Sequence, residues 1–217
     1  MLGFRVSSLA DQVFEKLEND IIQGIYSRGE IITELRLVEE LGVSRTPIRE
    51  ALRRLEQERL IEETGKGSVV LGITEENLLD IMDIRIHIEP MASYYAAINR
   101  TPEDIARLAH IIDLQDFFFA KHDVEYLHRE DDDFHDAICA ICKRSVISDI
   151  LILLHRKTRK YRKLSLESDK RPPASLEEHR QIYKAIADGN GELAAELTAE
   201  HIKKAKSNMM ERLGHNE

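Results

Sequence analysis

Two sets of residues in this 217-residue chain have types and spacings suited to chemistry. Arg45, Arg49 and Arg53 recur every four residues, which on a helix lays three guanidiniums along one face. Guanidinium pairs with phosphate and, through two parallel hydrogen bonds, with guanine O6/N7, so such a stripe is a candidate for duplex recognition. The second set combines carboxylate and imidazole. Asp131 and His135 lie four apart and project from one helix face, where they could grip one cation together. His179 stands in line with Leu176, Ile182, Tyr183 and Ile186, and His201 with Leu197 and Ala205, so both rings fall on core-facing stripes and need a partner there. One carboxylate and three imidazoles from three helices would make a ligand set suited to Zn, Ni, Co or Mn, with a position left for water or a ligand oxygen. The plainer alternative is that each is a core histidine hydrogen-bonded to a carboxylate.

The arginine stripe needs elements to present it, and the surrounding sequence supplies them. Glu34 to Leu41 carries Leu35, Val38 and Leu41 at helical spacing, and Gly42 stops it. Ser44 or Thr46 can cap a second helix with Pro47 in its first turn, and Ile48, Ala51, Leu52 and Leu55 turn inward opposite the arginines. A solvated helix whose arginines pair with Glu39, Glu50 and Glu56 is the competing reading. The residues that follow favour recognition: Leu60–Glu63, Thr64-Gly65-Lys66-Gly67 and Ser68–Leu71 read as strand, turn and strand, a hairpin with Lys66 at its tip. Helix, turn, helix and hairpin make a winged helix-turn-helix. A preceding helix, Ser8 to Gly24, has Leu9, Val13, Leu17 and Ile21 to pack behind it.

These residues carry a resemblance. Gly42-Val-Ser-Arg-Thr-Pro-Ile-Arg-Glu-Ala-Leu, preceded by Ile22-Gln-Gly-Ile-Tyr-Ser-Arg-Gly-Glu and followed by the Gly-Lys-Gly hairpin, is similar to the DNA-binding domain of GntR-family bacterial transcription regulators. The resemblance implies that Ser44, Arg45, Thr46 and Arg49 meet bases or phosphates, and that the hairpin tip enters the minor groove through Gly65, Lys66 and Gly67. Arg53 continues the stripe. Where many members have an arginine this chain has Leu35, leaving Arg36 beside it as the basic residue of that helix.

Composition sets outer bounds. An apolar content of 42% suffices for a real core, and a net charge of −9 argues against attraction to nucleic acid by the chain as a whole while permitting a local basic face. Two cysteines and no long apolar run imply a cytoplasmic protein without a disulfide framework or a membrane span.

Beyond Thr74 the period is helical to the end. Punctuation at Thr101-Pro-Glu-Asp, His122-Asp123, Lys143, Lys170-Arg-Pro-Pro-Ala and Gly189-Asn-Gly gives six helices, one kinked at Pro90, with a capping box at Ser175-Leu-Glu-Glu. Short connections between them predict an antiparallel bundle. The expected division is 1–72 for the winged domain and 73–217 for an all-α domain. That second part resembles the FCD effector domain of the FadR subfamily, on Arg85-x-x-x-Glu89-Pro90, Asp131-x-x-Phe134-His135, Glu178-His179-Arg180 and Asp188-Gly-Asn-Gly-Glu…His201. The resemblance implies a divalent metal on Asp131, His135, His179 and His201. His128 and Asp132 share the Asp131/His135 face and stay open as substitutes; Cys139 and Cys142 read as packing residues, with a soft-ligand role for Cys139 as the alternative.

Arg85 falls on an apolar stripe with Leu78 and Ala92 and needs an anion, either Glu89 four residues on or the carboxylate of a small organic-acid effector. The six Lys/Arg between His155 and Lys163 read as a solvated face answering acids such as Asp131 and Asp132. The expectation that follows is a non-enzymatic, homodimeric repressor reading a palindromic double-stranded operator under control of the effector. A helical metalloenzyme and a constitutive DNA binder with a structural ion are its rivals.

Overall fold

The computed structural model describes residues 8–166 and 171–214, the side chain of Leu164 excepted. The chain divides into two compact units that meet between Thr74 and Glu75, two residues beyond the expected boundary. Among the described residues no helix is long and apolar enough to cross a membrane.

The first unit is built on three helices and a small sheet. Helix α1 (Leu9–Gln23) starts on a capping box in which Ser8 and Asp11 exchange hydrogen bonds, and stops at Gly24 in the left-handed region. Helix α2 (Glu34–Leu41) ends the same way at Gly42, φ 64°, and α3 (Arg45–Gln57) starts after Ser44, whose side chain makes no capping bond. Ile48, Ala51 and Leu55 of α3 are buried with Phe14, Leu17, Ile21 and Leu37, which leaves the polar side of α3 outward.

Strands β2 (Ile61–Thr64) and β3 (Gly67–Val70) form the expected hairpin. A third strand, β1 (Ile31–Ile32), pairs with β3 to give the order β1-β3-β2. Two residues are too few for a periodic signal, so sequence gave no hint of it. Its pairing explains Gly67: at φ 128° a Cβ there would lie 2.8 Å from the Ile32 carbonyl oxygen.

The second unit is the predicted six-helix bundle: α4 (Glu75–Asn99), α5 (Pro102–Ala120), α6 (Val124–Ile141), α7 (Ser145–Leu166), α8 (Arg171–Asp188) and α9 (Gly191–Gly214). Helix α4 runs uninterrupted through Pro90 and packs against α6, α7, α8 and α9. Its core gathers Ala92, Ala96, Leu108, Phe134, Ile138, Leu151, Ile182 and Ile186, with Cys139 and Cys142 buried among them as packing residues.

One boundary is corrected. Arg171-Pro-Pro-Ala is the first turn of α8 rather than a loop, so Ser175 sits inside the helix and forms no capping box; Lys170 lies outside the described residues. Prolines are tolerated there because first-turn N–H groups have no partner within a helix in any case.

Candidate DNA-reading and metal-binding sites

On α3 the three arginines of the stripe are exposed as their spacing requires, with Ser44 and Thr46 exposed at the helix start and Gly65 and Lys66 exposed at the hairpin tip. They are not equivalent. Arg49 Nε lies 2.7 and 2.9 Å from the two carboxylate oxygens of Glu34 in the first turn of α2, while neither Arg45 nor Arg53 has an ion pair among the described residues. Glu34 therefore holds Arg49 by one edge and leaves its two terminal nitrogens for another partner.

Arg36 is more committed. Its guanidinium bridges Glu30 at 2.7 Å and Glu40 at 2.6 Å and lies 5.4 Å from the centre of the Tyr26 ring, whose hydroxyl donates to Glu40. Leu35 beside it is exposed. A cleft between α3 and the hairpin is lined by Arg49 and Arg53 together with Glu34, Glu56 and Glu63, so the basic surface is bordered by acid.

In the bundle, α6, α8 and α9 bring Asp131, His135, His179 and His201 together in the interior, all four buried. The rings of His135, His179 and His201 present ligand atoms within 4.8 Å of one another. The Nε2 atoms of His179 and His201 are 3.4 Å apart, and Asp131 Oδ1 is 3.8 Å from His179 Nε2. Each ring is tethered from behind by an oxygen facing Nδ1: Glu89 Oε2 at 3.3 Å for His135, Gln115 Oε1 at 3.0 Å for His179 and Glu178 Oε2 at 2.7 Å for His201.

The Gln115 amide is oriented by its own Nε2, which donates to the Glu130 carbonyl at 2.9 Å. An acceptor at Nδ1 places a proton there, so a neutral ring held this way keeps its lone pair on Nε2, the nitrogen turned away from the tether. Phe134 stacks on the His179 ring with centroids 4.3 Å apart and fixes its plane.

The electrostatics suit a cation. Burial pushes the His135 and His179 imidazoles well below their ordinary range and so keeps them neutral, with nearby Arg162 adding to the effect on both. Burial raises the Asp131 carboxyl against the pull of Arg162, and its Oδ2 is buried without a hydrogen-bond partner. Converging imidazoles, with His135 and His179 kept neutral by burial, beside an unsatisfied buried carboxylate oxygen are the donor set that Zn²⁺, Ni²⁺, Co²⁺ or Mn²⁺ would satisfy. His128 and Asp132 are turned elsewhere: His128 Nε2 meets the Arg159 carbonyl at 3.1 Å, and Asp132 pairs with Arg159 and Arg162.

Arg85 is buried and bound to Glu89, Nε to Oε1 at 2.5 Å, with Thr158 Oγ1 at 3.2 Å from Nη1. Of its two expected anions, the internal one is in place. Glu89 is the hub of this region, since His155 Nε2 also lies 3.1 Å from Oε1; burial pushes its carboxyl up, but Arg85 and the two histidines hold it well below the usual range.

A cavity of about 50 Å³ of water-accessible space opens beside the imidazoles, lined by Arg85, Asp131, His135 and His201 and by two further arginines, Arg162 and Arg171. Sequence reading placed Arg162 on a solvated basic face. Instead it is buried, 2.6 Å from Asp132 Oδ1 and 3.4 Å from Asp131 Oδ2, where the acids do answer it but from inside. Glu89 and Glu178 stood within noted motifs, although their tethering role carries no sequence signal of its own, and nothing marked Gln115.

A winged helix-turn-helix followed by an all-α helical unit defines a two-part DNA-binding regulator. Residues 9–70 match the family described as bacterial regulatory proteins, gntR family, and residues 80–204, more than half of the chain, match the FCD domain. The chain belongs to the GntR family of transcription regulators, in its FCD-bearing branch.

It is 28% identical to the Uxu operon regulator of Haemophilus influenzae over 92% of this chain and 81% of that protein. It is 31% identical to the gluconate operon transcriptional repressor of Bacillus licheniformis, over 61% of this chain and 54% of that protein. The solved structure of E. coli McbR/YncC shares the fold, with a TM-score of 0.79 at 23% identity, covering 96% of this chain and all of the other.

Proposed function

We propose that this regulator is a dimeric repressor whose two reading heads bind a palindromic operator, and that a small carboxylate effector bound beside a divalent metal in the bundle sets its hold on DNA. The observation that carries the sensor half is the set of three tethers, Glu89, Gln115 and Glu178, which aim His135 Nε2, His179 Nε2 and His201 Nε2 at one centre next to Asp131. Purely structural histidines need a hydrogen-bond partner but gain nothing from turning their second ring nitrogens toward one another. Metal binding is a property of FCD domains, and in this chain Asp131, His135, His179 and His201 would hold the ion. When bound, it supplies a positive centre for an effector oxygen.

For the reading half, Ser44, Arg45, Thr46, Arg49 and Arg53 would address the major groove and Gly65, Lys66 and Gly67 the minor groove. Arg36, held by two glutamates, would contribute only to the local field. The name of the gluconate operon transcriptional repressor of Bacillus licheniformis supports repression and an organic-acid signal. A dimer suits a palindrome because two linked heads gain from both half-sites at once, so a small shift in their separation removes much of the affinity.

The test is titration of a duplex, selected in vitro with this protein, with and without metal and with organic acids added. Binding that metal and acid modulate is the expected result. Binding indifferent to both would reduce the bundle to a structural support, and binding to no duplex would overturn the reading.

A further inference from the structure

We infer that Arg162, rather than Arg85, is the residue that clamps the effector, and that the cavity is built for an anion with a single carboxylate. The inference rests on the proposal that the cavity beside the three imidazoles is the effector site. Three guanidiniums line that cavity, and two are taken: Arg85 by Glu89 with Thr158, and Arg171 by Glu178, whose two oxygens lie 3.0 Å from Nη1 and 2.8 Å from Nη2.

Arg162 differs. Its side chain is only 9% exposed, Nη1 is used by Asp132 and Nε faces Asp131 at 3.4 Å, but Nη2 is buried with no hydrogen-bond partner. A buried guanidinium nitrogen left unsatisfied is costly and therefore marks a place where a ligand oxygen completes the site. Nearby Asp131 Oδ2 is the matching orphan on the acidic side, which a cation would satisfy.

The charges limit what can enter. Arg85 is cancelled by Glu89, Arg171 by Glu178 and Arg162 by Asp132, whose second partner Arg159 is 42% exposed and therefore screened by solvent. A divalent ion takes imidazoles only as neutral ligands, so Asp131 is the one negative charge left to set against it, and one net positive charge remains. One carboxylate neutralises that centre. A second would enter a narrow space walled by buried side chains with no uncommitted cation to meet it, which is disfavoured. The hydroxyls of Tyr161 and Ser175 on the cavity wall suit a hydroxylated chain on the acid.

The experiment uses the full-length protein loaded with Zn²⁺, its metal content measured, and calorimetric titration with two matched pairs of acids: L-lactate against L-malate, and D-gluconate against D-glucarate. Within each pair the second acid differs chiefly by an added carboxylate. The expected result is that at least one monocarboxylate binds, about tenfold or more tighter than its partner, and that Arg162→Gln weakens it about 30-fold with the metal content unchanged. Arg85→Gln, by contrast, should lower thermal stability and metal retention, since it frees Glu89.

Equal or tighter binding of the dicarboxylates, binding of none of the four to the metal-loaded protein, or undiminished affinity in Arg162→Gln would each overturn the inference. Loss of the acid in Arg85→Gln with metal and fold retained would return the clamp to Arg85. Failure of the protein to take up Zn²⁺ at all would instead sink the effector-site reading beneath it. Should Arg162→Gln fold poorly, Arg162→Lys keeps a charge without the planar fork, and the matched pairs in the unaltered protein still decide.

Discussion

Arg49 on the reading helix and Glu34 in the first turn of α2 are joined by a single edge of the guanidinium, Nε to both carboxylate oxygens at 2.7 and 2.9 Å. The geometry orients the terminal nitrogens while leaving them unpaired. It also puts a negative charge within a few ångströms of where a phosphate would otherwise approach, which favours a base edge over the backbone as the partner of Arg49.

The expected consequence is a division of labour along the stripe. Arg49→Ala should weaken binding to a selected operator by roughly ten- to a hundred-fold and flatten the preference at one base pair. Arg45→Ala and Arg53→Ala, which remove cations that have no ion pair among the described residues, should weaken all duplexes alike and reduce the slope of log affinity against log salt by about 1 each. Competition binding at several salt concentrations separates the two behaviours; a uniform loss on Arg49→Ala would assign it to phosphate.

The reading head was legible because its signals are local. Gly42 and Gly24 mark helix ends by conformation, and the inward faces of α1 and α3 follow a period of 3.6 residues. What escaped depends on the third dimension. The two-residue strand β1 exists only because β3 offers it an edge, the first turn of α8 accepts two prolines that elsewhere would signal a loop, and Arg162 looked like one more surface cation in a basic run. The meeting of Asp131, His135, His179 and His201 in the interior was legible by resemblance and by face, whereas Gln115, which holds His179, sits 64 residues away in sequence and carries no mark of its role.

Arg85 and Glu89 form a buried pair four residues apart on α4, and neither side chain is more than 5% exposed. Removing the cation alone leaves a carboxylate stranded against His135 and His155. Arg85→Ala should therefore destabilise the protein by about 3–5 kcal/mol, whereas Arg85→Met with Glu89→Gln should recover a large part of the loss. Chemical denaturation of the three proteins checks this, and a single variant as stable as the parent would show that Glu89 is held by the histidines alone.

The tethers predict a graded series in metal affinity. His179→Ala should abolish stoichiometric Zn²⁺ retention, while Gln115→Ala and Glu178→Ala, which leave every ligand in place but release the rings of His179 and His201, should weaken it by roughly 10- to 100-fold. Competition with a chromogenic chelator gives the affinities. Parent-like binding in both tether variants would mean that packing, chiefly Phe134 on His179, orients the rings unaided.

Acid should unfold the metal-stripped protein in two stages, and the sign follows from the direction of each shift. Burial keeps His135 and His179 well below 6.5, so above that pH the folded and unfolded chains carry the same charge there and stability is unaffected. Below about 6.5 the unfolded chain binds protons that the folded one refuses, and stability falls by up to about 2.7 kcal/mol per pH unit for the two rings together.

Glu178 adds the second stage. Burial would raise its carboxyl, but the hydrogen bonds from His201 and Arg171 bring it to about 2, against 4.5 when unfolded, so its contribution is whole above 4.5 and drains away toward 2. Denaturant midpoints of chelator-treated protein between about pH 7.5 and 3.5 should thus begin to drop near 6.5, steepen again below 4.5, and lose much of the first stage in His179→Phe. A stability curve flat from 7.5 to 5 would show that His135 and His179 take up protons freely inside the fold, and would remove the electrostatic argument for keeping those two rings neutral.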